Sequence, residues 1–206
     1  MDSPSPEASA QQARATELGL VDRLRNGDAD AFEAVHAAFN ARLFSFLARL
    51  SRRREVAEDL LEETWLRFVD VAPRMRDDTR LGPFLFTIAR NLHVSYCRSR
   101  MLEDSRSSEM TGLWPLGTPP PSPFESTVAN ETGDRIDRAL ASLSAASREA
   151  LLLVAVEGMK PGEAAVICGI SAEAMRQRVS RARAEVARQL DAQDERVLLP
   201  MKAVMP

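Results

Sequence analysis

The sequence is poor in the residues that support β-sheets, disulfides and membrane spans. Only 5% of its 206 residues are aromatic, whereas Leu, Ala, Val and Arg recur throughout and favour helices over strands. Cys97 and Cys168 are isolated, with no CxxC and no histidine at a ligand spacing, and we interpret both as small buried apolar residues. No apolar run reaches the roughly 18 to 20 residues that span a bilayer. The composition therefore predicts an all-α protein with no disulfide and no direct insertion into a membrane.

Lysine is scarce as well, because Lys160 and Lys202 are the only two in the chain. Nearly all positive charge is therefore guanidinium, the group suited to forked contacts with phosphates and guanine edges. The chain is nevertheless mildly acidic, with a formal net charge of -3. Much of the acidity lies in residues 103–134, which carry six carboxylates against the single Arg106. An acidic segment thus separates two stretches that hold more arginine.

Two segments without apolar periodicity divide the chain. Both are rich in Ser, Pro, Gly and Ala, and a cluster of prolines at 119–123 prevents a helix there. The first segment also lacks the apolar middle of a secretion signal, which favours a cytoplasmic location. We predict a disordered tail over 1–17, a helical domain over 18–102, an acidic Pro/Ser-rich linker over 103–134, a helix-turn-helix domain over 135–190 and a C-terminal tail over 191–206. The predicted fold is two small helical domains joined by a flexible linker.

Helix signals in the first domain are local and strong. Gly27 is a candidate left-handed end of one helix, and Asp28 can cap the next. That next helix carries apolar residues at steps of three and four, which predicts a buried face. A third helix is expected over about 55–71, closed by Pro73, and a fourth begins near Pro83. The apolar residues of the second helix are Phe32, Val35, Phe39, Leu43, Phe46, Leu47 and Leu50.

The second domain has residues typical of the helix ends and the turn of a helix-turn-helix. Pro161 suits a first helical position, Gly169 suits a tight turn, and Ser171 suits the N-cap of a longer helix. At about 100° per residue, the apolar positions of that last helix share one face that packs against the preceding helices. The predicted buried positions are Met175, Val179, Ala182 and Val186.

The opposite face of the last helix is crowded with arginine. Glu173, Gln177 and Arg181 point away from the predicted core, while Arg176 and Arg183 flank one side and Arg178 the other. This arrangement suits a helix in the major groove with flanking guanidiniums on the phosphates. The alternative is a solvated amphipathic helix whose arginines keep it soluble. The turn in front of the helix favours DNA binding.

The order of several motifs resembles the bacterial extracytoplasmic-function (ECF) sigma factors. Region two of that family is similar to LVDRLRNGDADAFEAVH, EVAEDLLEETWLRFV and FLFTIARNLHVSYCRSR, and region four to LASLSAASREALLLVAVEGMKPGEAAVICGISAEAMRQRVSRARAEV. The resemblance implies a transcription initiation factor that binds core RNA polymerase, directs it to specific promoters and assists promoter opening. It also implies an anti-sigma factor as a partner. Phe84 and Ser95 depart from the family pattern, which commonly has Trp and Asp there, and Lys160-Pro161 replaces the usual Ser or Thr cap.

The resemblance also implies roles for particular residues. Trp65 would be a large apolar anchor ringed by charge in the polymerase-docking helix, and the loop over 74–82 would hold a base flipped from the non-template strand. The implied polymerase-binding residues are Asp59, Leu60, Glu62, Glu63, Thr64, Trp65 and Arg67. The candidate DNA-binding residues are Arg80, Arg90, Asn91, Arg98 and Arg100 in region two, and Arg176, Gln177, Arg178, Arg181 and Arg183 in region four.

Other functions receive less support from the sequence. Glu33 and His36 have a Glu-x-x-His spacing, but di-iron bundles use two such copies with further carboxylates. Lys160 lies in GMKPG, which is not a phosphate loop. We therefore expect no catalytic site, metal or cofactor. Two alternatives stay open, a helix-turn-helix activator or repressor that never joins polymerase and a degenerate sigma-like regulator that has lost promoter opening.

Overall fold

The computed structural model describes residues 6–111 and 131–202, with side chains over 12–102, at 133 and over 135–192. Within these ranges the regular structure is helical, which confirms the predicted all-α fold class. The described residues form two compact units. The first contains 6–45 and 58–111, and the second contains 46–57 and 131–202. No helix in the described residues is both long and apolar enough to cross a membrane.

Long helices build the N-terminal half of the chain. The first two are joined by the short turn at Gly27, and a 3-10 turn over Ala72–Arg74 leads into the loop of residues 75–80. Gly27 has a φ of 74°, and Asp28 Oδ1 accepts hydrogen bonds from the backbone N–H groups of Asp30 at 2.9 Å and Ala31 at 3.2 Å. Both predicted caps are thereby confirmed. The helices are α1 (Pro6–Arg25), α2 (Ala29–Ser51), α3 (Arg54–Val71) and α4 (Leu81–Thr111).

Shorter helices and one long one build the C-terminal half. The seven residues of α6 continue into a π-helical turn over Leu152–Val156, which the sequence pattern does not predict. Gly169, with a φ of 67°, separates the last two helices, as expected for a helix-turn-helix. The helices are α5 (Glu131–Ser142), α6 (Ala145–Leu151), α7 (Pro161–Cys168) and α8 (Ala172–Lys202).

Several helices are longer than the sequence analysis predicts. Helix α1 occupies most of the predicted disordered tail, and α4 and α5 extend into the predicted linker, to Thr111 and from Glu131. The physical reason in α1 is a run of Ala, Gln, Glu and Arg with high helix propensity, begun by Pro6, which the first turn of a helix tolerates. Helix α8 likewise continues past residue 190. The proline cluster at 119–123 lies outside the described residues.

The two cysteines have different surroundings. Cys168 is buried, as predicted, whereas Cys97 is exposed and the prediction for it was wrong. Its sulfur lies 3.7 Å from His93 Nε2, one turn earlier on α4. Cys97 lies on the same side of α4 as the buried His93 but one turn later, where none of the described side chains over 94–102 is buried. Both cysteines are free thiols.

A buried arginine organises the second unit. Arg148 on α6 is 6% exposed, and its guanidinium donates to the carbonyls of Leu140 at 2.9 Å, Leu143 at 3.0 Å and Ala141 at 3.2 Å. These carbonyls lie at and just beyond the last turn of α5, where a helix has no acceptor partners of its own. Burial lowers the pKa of the Arg148 guanidinium, and the positive charge of Arg52 adds to that effect.

The same arginine brings residues 46–57 into the second unit. Arg148 Nη1 donates to the carbonyl of Leu50 at 3.5 Å, near the end of α2. An ion pair of 3.0 Å between Arg49 Nε and Asp137 Oδ1 lies beside it. These long-range contacts explain why the compact units do not divide the chain at one point in the sequence.

We expect Arg148→Met to lower the free energy of unfolding of the second unit by about 2–4 kcal/mol, because the buried carbonyls lose a charged donor. Urea unfolding followed by circular dichroism measures the change. Arg183→Met is the matched control, since Arg183 is exposed on α8 and such surface changes cost about 0.5 kcal/mol or less. Equal stability of the two variants would contradict the capping role.

Candidate nucleic-acid and protein interfaces

Helix α8 has the two faces that its sequence predicts. Ser171 caps it by accepting the N–H of Ala174 at 3.1 Å. Met175, Val179 and Ala182 are buried, and Val186 is half-buried. The apolar stripe therefore anchors the helix on the second unit and leaves the opposite face to solvent.

The candidate DNA-binding residues of the second unit lie on that solvent side. Gln177 and Arg181 occupy its centre and are exposed, Arg176 and Arg183 are exposed on one flank, and Arg178 is half-buried on the other. One helix thus presents an amide and several guanidiniums along a single ridge. These groups suit base edges at the centre and phosphates at the flanks.

Glu173 organises this ridge, a role that the sequence analysis missed. Its Oε2 accepts from Arg176 Nη2 at 2.6 Å and Nε at 3.1 Å, and its Oε1 accepts from Gln177 Nε2 at 3.2 Å. Hydrogen bonds from Arg176 and then Gln177 hold the pKa of Glu173 below its usual range. The i,i+3 and i,i+4 spacings were the available signal. A carboxylate at this place can also accept from the amino group of cytosine.

The structure brings together only some of the candidate DNA-binding residues of the first unit. Asn91 and Arg98 are exposed and lie seven residues apart on one side of α4. Arg90 is half-buried beside them, with its Nη1 at 3.5 Å from Asn91 Oδ1. Arg100 is exposed nine residues after Asn91, which places it on the opposite side of α4. Arg80 is exposed at the end of the loop that precedes the helix.

The candidate docking residues on α3 separate into exposed and buried positions. Asp59, Glu62 and Arg67 are exposed, and Glu63 is half-buried with one carboxylate oxygen 2.8 Å from Arg67 Nε. Leu60, Thr64 and Trp65 are buried instead. Three of the seven residues implied for docking are therefore buried, which corrects the expectation of an exposed Trp65 anchor, while the docking role of α3 stays a prediction.

Trp65 lies in an aromatic cluster rather than on the surface. It is 8% exposed, and its indole N–H donates to Asn40 Oδ1 at 2.9 Å. Its ring centroid lies 4.7 Å from that of His36, 5.8 Å from Phe32 and 5.9 Å from Phe68. The residue fixes α3 on α2 by edge-to-face packing and one hydrogen bond. His36 takes part in this packing.

Two exposed apolar residues on α3 were missed. Leu66 is 58% exposed and Val69 is 51% exposed, and both fall at helical spacing with the exposed carboxylates of Asp59 and Glu62. Together they form a surface, the α3 stripe, in which apolar side chains are surrounded by negative charge. The sequence feature that could have identified this surface is the same three- and four-residue spacing that identified the buried face. The α3 stripe consists of Asp59, Glu62, Glu63, Leu66, Val69 and Asp70.

Comparisons with known protein families match both halves of the chain. Residues 35–102 match the family model described as sigma-70 region 2, and residues 133–186 match the one described as sigma-70, region 4. The first range contains α3 and most of α4, and the second contains the arginine-rich part of α8.

Curated relatives are similar over most of their length. The RNA polymerase sigma factor CarQ of Myxococcus xanthus is 34% identical over 161 residues, which cover 78% of this chain and 90% of CarQ. The ECF RNA polymerase sigma factor EcfG of Rhodopseudomonas palustris is 31% identical, with 82% of this chain and 86% of EcfG covered. The ferric citrate uptake sigma factor FecI of Escherichia coli is 31% identical, with 79% and 92% covered.

Solved structures share the fold. CnrH in complex with the cytosolic domain of CnrY superposes with a TM-score of 0.64 at 23% identity, covering 85% of this chain and 97% of CnrH. The sigma factor RpoE of Bartonella quintana, in complex with the anti-sigma factor NepR, superposes with a TM-score of 0.64 at 28% identity, covering 78% and 96%.

The burial pattern of α3 generates a stability prediction. We expect Trp65→Ala to lower the free energy of unfolding by about 3–5 kcal/mol, because it empties the aromatic cluster and leaves Asn40 without its donor. Leu66→Ala, one residue along, should cost about 0.5 kcal/mol or less because Leu66 is exposed. Urea unfolding followed by circular dichroism compares the two. A larger loss for Leu66→Ala would contradict the burial of Trp65.

Proposed function

Because the chain belongs to the ECF sigma factors, which are initiation subunits of bacterial RNA polymerase, we propose that separate helices bind core polymerase and promoter DNA. The observation that carries this assignment of surfaces is the exposed ridge of α8, set by Gly169 and Ser171 and ordered by Glu173. Catalysis belongs to the polymerase, so this chain needs no active site of its own. We place the protein in the cytoplasm, where polymerase acts.

The second unit reads the upstream promoter element in this proposal. Helix α8 enters the major groove with Gln177 and Arg181 toward base edges, while Arg183 and Arg178 meet phosphates on the two sides. Arg176 reaches its base or phosphate from a side chain already held by Glu173. Fixed side chains lose less rotamer freedom on binding, which favours discrimination between sequences.

The first unit recognises and opens the downstream element. Asn91 and Arg98 share one exposed side of α4, where an amide and a guanidinium can contact bases and backbone. Arg80 lies just before α4, in the loop that we propose to hold the flipped base. Arg100 lies on the other side of α4, so we assign it to the phosphate backbone rather than to the bases.

The α3 stripe docks on core polymerase. Leu66 and Val69 supply apolar surface that becomes desolvated on binding. The surrounding carboxylates orient the protein as it associates with polymerase. Trp65 supports this surface from within, by holding α3 on α2 through Asn40 and the aromatic rings. Docking therefore depends on Trp65 through stability and on Leu66 through contact.

An anti-sigma factor is the proposed inhibitory partner. Its support is the assembly of two solved relatives, CnrH with the cytosolic domain of CnrY and RpoE with NepR. The exposed Leu66 and Val69 of the α3 stripe and the exposed Val166 of α7 are apolar side chains that such a partner can cover.

Binding and initiation assays test the whole proposal. The purified chain is mixed with bacterial core polymerase and genomic fragments, and transcript start sites are mapped. We expect polymerase binding and initiation at sites that share an upstream motif. DNA binding without polymerase binding would favour an activator or repressor, and polymerase binding without initiation would favour a degenerate sigma-like regulator.

The reading ridge generates one mutational prediction. We expect Arg176→Ala and Arg181→Ala each to reduce promoter-dependent transcription about 5- to 150-fold at limiting holoenzyme, the equivalent of about 1–3 kcal/mol for a base contact. Transcription from the mapped promoters measures the effect. Arg138→Ala is the matched control, because it removes an exposed guanidinium from α5 of the same unit. Unchanged transcription in both test variants would refute the reading-helix assignment.

The α3 stripe generates another prediction. We expect Leu66→Ser to weaken core polymerase binding about tenfold or more, since central apolar contacts dominate interfaces, while circular dichroism stays unchanged. Fluorescence anisotropy of labelled protein with core enzyme measures the affinity. The control is Leu102→Ser on α4, since Leu102 is 60% exposed, against 58% for Leu66. An equal effect of the two substitutions would argue against docking through α3.

A further inference from the structure

Helix α1 holds the loop of residues 75–80, although the two are far apart in the sequence. Arg14 Nη2 donates to the carbonyl of Asp78 at 2.7 Å, and Arg14 Nη1 donates to the carbonyl of Thr79 at 3.3 Å. Two successive carbonyls of the loop are therefore fixed by one planar guanidinium, which presents its donors in a rigid fork. The side chain of Arg14 is one-third exposed, the hydrogen bond to Thr79 is partly buried and the one to Asp78 is exposed.

Glu17, one turn later on α1, holds the other end of the loop. Its Oε1 accepts the backbone N–H of Leu81 at 2.8 Å, and its Oε2 accepts from Arg14 Nη1 at 2.6 Å. Leu81 is the first residue of α4, and its N–H has no partner within that helix. A carboxylate is favourable at a helix N-terminus because of the helix dipole. Arg14 and Glu17 therefore act together on three adjoining backbone groups.

A third residue of α1, Arg25, also contacts the loop. Arg25 forms an ion pair with Asp77, and an open cavity of about 420 Å³ lies between Arg25 and loop residues 75–78. The shape of the loop and of the cavity beside it both depend on α1.

We propose that Arg14 and Glu17 are positioning residues for promoter opening, because they fix the backbone of loop 75–80 in the form that accepts a flipped base. The inference rests on the proposed function, in which this loop holds that base. Neither side chain touches DNA in this role. They act by ordering the loop in advance, so that base capture does not have to bear the entropy cost of ordering it.

The test uses holoenzyme assembled from core polymerase and the full chain. The probes are non-template oligonucleotides that span the downstream element of a mapped promoter, with one base at a time replaced by an abasic site. With the unsubstituted protein, we expect one position whose loss weakens binding about tenfold, the range of a captured or stacked base. Arg14→Ala should reduce that penalty to about twofold or less. The other positions should behave as before.

Matched variants separate positioning from folding. Arg23→Ala removes a guanidinium from the same helix, where it pairs with Asp28 at 2.7 Å, and should keep the full penalty. Arg14→Lys should restore part of it, since an ammonium can donate to one of the two carbonyls. Glu17→Gln should fall between Arg14→Ala and the unsubstituted protein. Core polymerase affinity, measured in parallel, should stay unchanged in all four.

Each other outcome overturns the inference in a distinguishable way. If Arg14→Ala weakens every oligonucleotide equally, or weakens core binding, Arg14 only stabilises the first unit. If Arg14→Ala keeps the full penalty, the loop is positioned without α1 and the proposed function stands. If the unsubstituted holoenzyme shows no sensitive position, the loop does not hold a base, and the inference fails together with that part of the proposed function.

Discussion

The unsatisfied backbone groups at helix ends are the constraint on which this structure depends. An all-α chain has many such ends, and each leaves N–H or C=O groups without a partner inside the helix. At two of these ends the partner is a charged side chain of another helix. Arg148 binds the carbonyls that end α5, and Glu17 binds the N–H that begins α4. These hydrogen bonds give the backbone groups at the helix ends their partners. The same hydrogen bonds also fix the positions of the helices and loops that they join.

The distance along the chain between the bonded groups decides which of these features the sequence could predict. The caps at Asp28 and Ser171 join groups within three residues, and both were predicted from local residue type. The bond from Arg14 to Thr79 spans 65 residues and that from Arg148 to Leu50 spans 98. No local pattern marks such a pair. For the same reason, the part of α1 before residue 18 was predicted as a tail, because the contacts of Arg14 and Glu17 are to distant residues of the loop, whereas the buried Val21 and Leu24 lie in the part that was predicted to be helical.

The candidate sites divide in a similar way. On α8 the apolar stripe is unambiguous, so the exposed ridge followed correctly from periodicity. On α3 apolar residues occur on more than one side, and periodicity alone does not say which side is buried. The size of Trp65 suggested a partner-binding anchor, yet a large aromatic ring also gains most from burial. In the structure, Trp65 packs against the rings of His36 and Phe32 on α2. Trp65 is therefore part of the core, and Leu66 lies on the surface.

The pairing of Glu173 with Arg176 has a thermodynamic consequence for any polyanion that meets α8. An arginine that neutralises a phosphate releases condensed counterions, and each such contact steepens the fall of affinity with salt. Arg176 already has a carboxylate partner at 2.6 Å, and its positive charge is partly neutralised. It therefore releases fewer counterions from a phosphate than an unpaired arginine does. Its contribution to affinity is accordingly less sensitive to ionic strength. In the proposed complex with promoter DNA, the ridge would therefore lose part of its nonspecific attraction and keep the part that depends on base sequence.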